Sequence, residues 1–371
     1  MTHGTSAKGV AGRAITPPHC TRSGGGSFVG GGSGNIAGGG DSGILSGAYN
    51  NICDYGSTIG GGEDNSVSSS GGGELASDSV IGGGDTNIID CTSSCIGNNG
   101  VVAGFANLIY GNAGNAFIGS GSHNTISIPD AAIAGGNGNN VSGEYGSIGG
   151  GYANTVSGEY GAVAGGYGDT ASGEYASVAG GAYNVASGSA SFAGGDHADA
   201  DYNGSFVWSD ESSGSSTKAT AANQFMARAA GGVTFFTNAA MTTGVKVAAG
   251  SGTWSSVSDR NLKNAVTVLD DQSILNRVAA MPVTEWSYIS EPGVRHVGPM
   301  AQDFYAAFGV GEDDKHITSI DEDGIAFAAI KALRSENVWL RAELAAQRTT
   351  QANEKAQLRQ LAAEVAALQR R

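Results

Sequence analysis

Ser142-Gly143-Glu144-Tyr145-Gly146-Ser147-Ile148-Gly149-Gly150-Gly151 is written again, little changed, as Ser157-Gly158-Glu159-Tyr160-Gly161-Ala162-Val163-Ala164-Gly165-Gly166 and as Ser172-Gly173-Glu174-Tyr175-Ala176-Ser177-Val178-Ala179-Gly180-Gly181. The step is 15 residues, and single aliphatics keep it: Ile118, Ile133, Ile148, Val163 and Val178. So do Asn139, Asn154, Asp169 and Asn184, and the pairs Glu144-Tyr145, Glu159-Tyr160 and Glu174-Tyr175. Upstream copies such as Ile59-Gly60-Gly61-Gly62 and Ile81-Gly82-Gly83-Gly84 are looser but keep the order, aliphatic then glycine. A short fixed period marks a solenoid, here with two short strands and two turns per coil. Glycine supplies the turns with positive φ and lets backbones approach closely. The Asn/Asp column suits a turn position that tolerates the left-handed conformation. One aliphatic per coil is too little for a core inside one chain, so burial against other copies is expected, with the aliphatic columns facing the axis of an oligomer.

The same columns bear on binding. Glutamates one coil apart, ~4.8 Å, repel unless water or cations intervene; a solvated edge is the expectation, and the Gly-Gly-x-Gly-x-Asp calcium repeat is absent. Tyr145, Tyr160 and Tyr175 form a candidate ligand-binding ladder, because aromatic faces suit sugars; packing between coils or subunits competes with that reading. His123 and His197 lack carboxylate or cysteine partners at metal spacing. Neither a metal nor another cofactor is expected.

Composition narrows the function classes. The 371 residues include 63 Gly but only 6 Pro, which excludes collagen. Up to Val257 there are 6 Lys and Arg against 18 Asp and Glu, and none of the basic residues falls between Ser23 and Thr217. Such a surface repels nucleic acid and anionic membrane, whose neutralisation needs cations. Cys20, Cys53, Cys91 and Cys95 lack zinc or redox spacing; buried thiols are the plain reading, with a Cys91–Cys95 or intersubunit disulfide as the alternative. No apolar leader follows Met1 and no run of 18 apolar residues occurs, so neither a secretory signal nor a membrane insertion is expected.

At Ser258-Asp259-Arg260-Asn261-Leu262-Lys263 the composition changes abruptly. Leu262 to Leu269 reads as a strand and the stretch through Val278 as a helix, followed by a strand at Pro282–Tyr288 and a helix entered through His296–Phe304. From Ile330 a heptad places Asn337, Leu344, Leu358 and Val365 at a, and Leu333, Leu340, Leu361 and Leu368 at d, with a polar middle. Ser258-Asp259, three residues and Lys263, together with Gly298-Pro299-Met300-Ala301-Gln302-Asp303-Phe304, Ile317-Thr318-Ser319-Ile320-Asp321 and Gly324-Ile325-Ala326, resemble the self-cleaving intramolecular chaperone at the C-terminus of phage tailspikes and tail fibres, the endosialidase chaperone family. The array similarly resembles the left-handed parallel β-roll heads of trimeric autotransporter adhesins. The resemblance implies a mostly β, homotrimeric chain: residues 1–23 flexible or docking to a tail or baseplate protein, a β-roll over 24–201, a β-hairpin neck over 202–257, an α+β chaperone domain over 258–327 and a trimeric coiled coil over 328–371.

It also implies a reaction. The bond before the serine is cut, so Val257 and Ser258 are the cleavage site and Ser258 and Lys263 the catalytic pair, a Ser-Lys dyad with one turnover and no external substrate. Serine needs a base to take its proton, and lysine serves when desolvation lowers its pKa towards 7–8. The function expected is a receptor-binding tail fibre or spike of a phage or phage-like particle, made in the cytoplasm and acting outside the cell, its partner a host surface glycan or receptor. The alternatives are a polysaccharide-degrading tailspike and a bacterial surface adhesin with an uncleaved chaperone-like tail. An ice-binding surface is disfavoured, since no Thr-x-Thr column stands out.

Overall fold

The computed structural model describes residues 25–70, 76–92, 99–101 and 103–370. The expected N-terminal segment 1–23, Cys20 and Cys95 lie outside them. The chain divides into two compact units, Met1–Val257 and Ser258–Arg371.

The first unit is a parallel β-solenoid of about thirteen turns. Its coils lay down one sheet of 13 strands, from Phe28–Val29 to Phe225–Arg228, and a second of 12, from Ile36–Ala37 to Thr217–Lys218. Many strands are two residues long, such as Ser147–Ile148 and Thr155–Val156. Strands so short persist because each backbone N–H and C=O finds its partner in the neighbouring coils. In the first sheet Ile133 pairs with Ile148, Ile148 with Val163 and Val163 with Val178. In the second the line is Val141, Val156, Ala171 and Ala186. Isolated parallel bridges through Asn137, Tyr152, Tyr167 and Ala182 add a third line of contact.

The core corrects the expectation about burial. Ile148, Val163 and Val178 are 2 % exposed within one chain. They face a second aliphatic column that the sequence reading passed over, in which Val141, Val156 and Ala171 are 0 % exposed. The coil is therefore filled from both sheets, and no neighbouring copy is needed to hide either column.

The asparagine column also differs from expectation. Asn139, Asn154 and Asn184 are fully buried, and none has positive φ. Asn139 Oδ1 accepts from the backbone N–H of Asn154 at 3.0 Å, while its Nδ2 donates to Gly135 O at 3.0 Å and Gly151 O at 3.1 Å. The ladder is anchored by close approach: a Cβ at Gly151, where φ is +95°, would stand 2.2 Å from Gly166 O. The left-handed positions are elsewhere, and the candidate tyrosines occupy one such column, with φ of 57°, 56° and 58° at Tyr145, Tyr160 and Tyr175.

Parallel stacking continues past residue 201, where the roll was expected to end. Phe192 pairs with Phe206 and Phe206 with Phe225, their rings stacked at 4.5 and 4.9 Å. Only Gly232–Phe236, Gly244–Ala248 and Trp254–Ser256 form the antiparallel hairpins foreseen for the neck. Cys53 and Cys91 each take part in a disulfide, which overturns the buried-thiol reading for these two.

The second unit is small and mixed. Helix α1 (Asp271–Ala280) starts at Asp270, whose carboxylate accepts from the N–H groups of Gln272 and Ser273. Thr284–Trp286 and His296–Gly298 form an antiparallel pair. Helix α2 (Ala301–Phe308) ends on Gly309, at φ +65°. Helix α3 (Ser319–Leu368) begins at its Thr318 cap, and Ile325, Ala328 and Ala329 on its first turns pack with Ile274 and Phe304. The strand expected over Leu262–Leu269 does not form; Val266 and Val268 are exposed there.

Candidate functional site

Asp259 and Lys263 both have extended backbones, and between them Arg260–Leu262 makes a single 3₁₀ turn. Asp259 caps it, accepting from Asn261 N at 2.9 Å and Asn261 Nδ2 at 3.0 Å. The turn closes where Lys263 N donates to Arg260 O at 3.2 Å. Its effect is to reverse the chain over five residues, and Lys263 Nζ donates to Ser258 Oγ at 2.7 Å. Sequence spacing placed the two off any common helix face; the one-turn reversal is what joins them. Both side chains stand in solvent. Desolvation is what makes a lysine a base, so the pair is assembled in this chain without the burial that would activate it.

Tyr145, Tyr160 and Tyr175 are 45, 43 and 54 % exposed and stack on one another, with centroids 4.8 and 5.0 Å apart and rings within 6° and 9° of parallel. Their inner faces therefore cover each other, and edges and hydroxyls meet the solvent. Glu144 and burial hold the Tyr145 phenol above its ordinary pKa; burial, then Glu159, does so at Tyr160, and Glu174 at Tyr175. A second aromatic line went unnoticed in the sequence. Tyr152 and Tyr167 stack at 5.3 Å, and Tyr183 meets Tyr167 edge-on at 5.0 Å. The signal was present, since Tyr152 and Tyr167 keep the 15-residue step. His123 and His197 belong to this aromatic edge, against Phe105 and Tyr183.

Among the described residues no group of His, Cys, Asp and Glu is arranged to hold a metal, and no helix is long and apolar enough to cross a membrane. Residues 258–310 match the family model described as chaperone of endosialidase. That segment begins at Ser258, carries the Ser258–Lys263 contact and runs through α2. Comparison with curated proteins finds no match. The family match at the C-terminus and the β-solenoid before it fit a protein of the tail-fibre or spike type.

Proposed function

We propose that this chain is a trimeric, receptor-binding tail fibre or spike, and that residues 258–371 assist its assembly and then release themselves between Val257 and Ser258. The observation that carries the reading is the 2.7 Å contact of Lys263 Nζ with Ser258 Oγ at the first residue of the matched segment. In the reaction Ser258 Oγ attacks the Val257 carbonyl carbon and its proton passes to the Lys263 amine. The Val257–Ser258 C–N bond breaks, and Lys263 delivers the proton to the departing Ser258 nitrogen. The ester so formed still links the two parts through Oγ. Water hydrolyses it, leaving a Val257 carboxylate and a free Ser258 amino terminus.

Because Lys263 is exposed in the single chain, the reading assigns its desolvation to assembly, which delays cleavage until copies have come together. The exposed leucines of α3, Leu340, Leu344, Leu358 and Leu361 among them, supply an apolar seam for that assembly. Denaturing electrophoresis of the wild type beside Ser258→Ala tests the reaction. The wild type is expected to give fragments of 257 and 114 residues and the variant one full-length band; a full-length wild type removes cleavage from the account. Host surface glycan is the ligand class we assign to the exposed aromatic edges, and Tyr145, Tyr160 and Tyr175 are its first candidates.

A further inference from the structure

With both aliphatic columns spent on the interior, the surface by which copies meet has to be sought on the outside of the coil. In the first sheet the residues alternating with the buried column point outward. Over the regular coils they are Phe117, Ala132, Ser147, Ala162, Ser177 and Phe192, and with Ala134, Gly149, Ala164 and Ala179 they line one open trough. Its floor is of small side chains, alanines with the hydroxyls of Ser147 and Ser177 among them, and a phenylalanine closes each end. Followed along its full pairing from Phe28 to Phe225, this line of 13 strands carries no charged residue. The outward line of the second sheet is different. It mixes apolar Ile36, Ile88, Leu108 and Val185 with polar Asn51, Ser66, Thr125, Asn140, Thr155 and Thr170, and carries charge at its end, Asp199 and Lys218, while the glutamates sit at the corner beside the first tyrosine column.

These differences select the occupant. The backbone of the trough is spent in the parallel ladder, so a glycan finds few donors or acceptors there. Copies of so acidic a unit repel one another where their carboxylates meet, and this face adds to an uncharged line the smallest side chains over the regular coils, Ala132, Ser147, Ala162 and Ser177, which let another backbone approach closely. Thirteen strands at ~4.8 Å and three residues of width give roughly 600 Å² per chain, near the ~800 Å² per partner of a stable interface. We propose that the outward face of the first sheet is where copies of this chain meet, about a three-fold axis running along the array. The proposal rests on the trimeric reading above and names the face that serves it. The aromatic rows at the trough's ends set the register: in-register copies bring Phe117 to Phe117 and the stacked Phe192, Phe206 and Phe225 to their equivalents. A slip of one coil sets phenylalanine against alanine and leaves a ring uncovered.

The test uses the full chain with one added cysteine, treated with a short bis-maleimide and run on a denaturing gel. Ala162→Cys and Ser147→Cys are expected to yield covalent dimers; Thr155→Cys, on the outer face of the second sheet, and the wild type are expected to yield none. Crosslinking at Thr155→Cys in place of Ala162→Cys, or at neither, overturns the assignment of the face. Light scattering on the uncut Ser258→Ala chain reads the trimer separately. A monomeric mass there overturns the trimeric reading itself, whereas a trimer without crosslinks at positions 147 and 162 overturns only the face.

Discussion

Asp169 stands where the buried ladder otherwise has asparagine. Its Oδ1 accepts from Asn184 N at 2.8 Å and Nδ2 at 3.0 Å, as its neighbours' do. Its Oδ2 replaces an amide that would donate to glycine carbonyls, and that atom is buried without a hydrogen-bond partner among the described residues. Burial pushes the carboxyl above the ordinary aspartate value, against the two bonds from Asn184. The folded chain then keeps this proton to higher pH than the unfolded one. Its support for the fold is complete below the ordinary value of 3.8 and is lost as pH climbs through the folded one. Asp169→Asn restores the donor and is expected to stabilise the array by about 1–3 kcal/mol at neutral pH. Denaturant midpoints measured against pH check it: the gap between variant and wild type should narrow towards acid. At the turn where cleavage is proposed, Asp259→Ala removes the cap and is expected to slow release, while Asp259→Asn keeps an acceptor and most of the rate; time courses on denaturing gels separate them. An alanine variant cleaving at the wild-type rate would mean the turn forms without its cap.

At the scale of the element, much of the array was legible and the reasons for the misses are physical. A period of 15 residues shows directly in the sequence because coils stack in register, and Ile148, Val163 and Val178 lie where a core must. Val141 and Val156 escape notice because small or polar residues flank them, in Asn140-Val141-Ser142 and Thr155-Val156-Ser157, yet they close the core. Asparagine suits a left-handed turn and an amide ladder equally, and composition cannot choose between these roles at Asn139. Nothing in a tyrosine announces positive φ, which costs a bulky residue about 1–2 kcal/mol; at Tyr160 stacking on both sides offsets it. At the candidate site, Ser258 and Lys263 were legible through the resemblance, but the capped turn joining them was not, since spacing does not specify a 3₁₀ turn. Core truncation tests the element. Ile133→Ala is expected to cost about 2–5 kcal/mol, and thermal unfolding should show the loss. In α3, the core-facing turns end near Ala332, and Leu340→Glu combined with Leu361→Glu is expected to leave the first unit's strands intact while abolishing assembly. Light scattering and circular dichroism together check it.

For the whole molecule, each strand pairs with the neighbouring coil about 15 residues away, so every coil closes a full turn before burial rewards it, and a first coil has nothing to stack on. A helical segment that associates through local contacts starts the process faster than the array does. On the proposed cleavage, loss of that segment removes the route back, and persistence becomes a matter of rate. Unfolded in guanidinium and diluted, the uncut Ser258→Ala chain is therefore expected to regain its assembled mass by light scattering, and the cleaved product is not; equal recovery of both would remove the assembly role. The corner that follows each second-sheet strand has a further consequence. Ile44 and Ile59 pair 15 residues apart, as Asn51 and Ser66 do, yet Ile59 pairs with Ile81 and Ser66 with Ile88, with the extra length placed between Ser68 and Val80. The ladder keeps its step whatever that corner carries. A foreign epitope spliced into the corner at residues 158–160 would hang outside the wound ribbon, making the scaffold a natural display rod whose cargo can change while its winding does not.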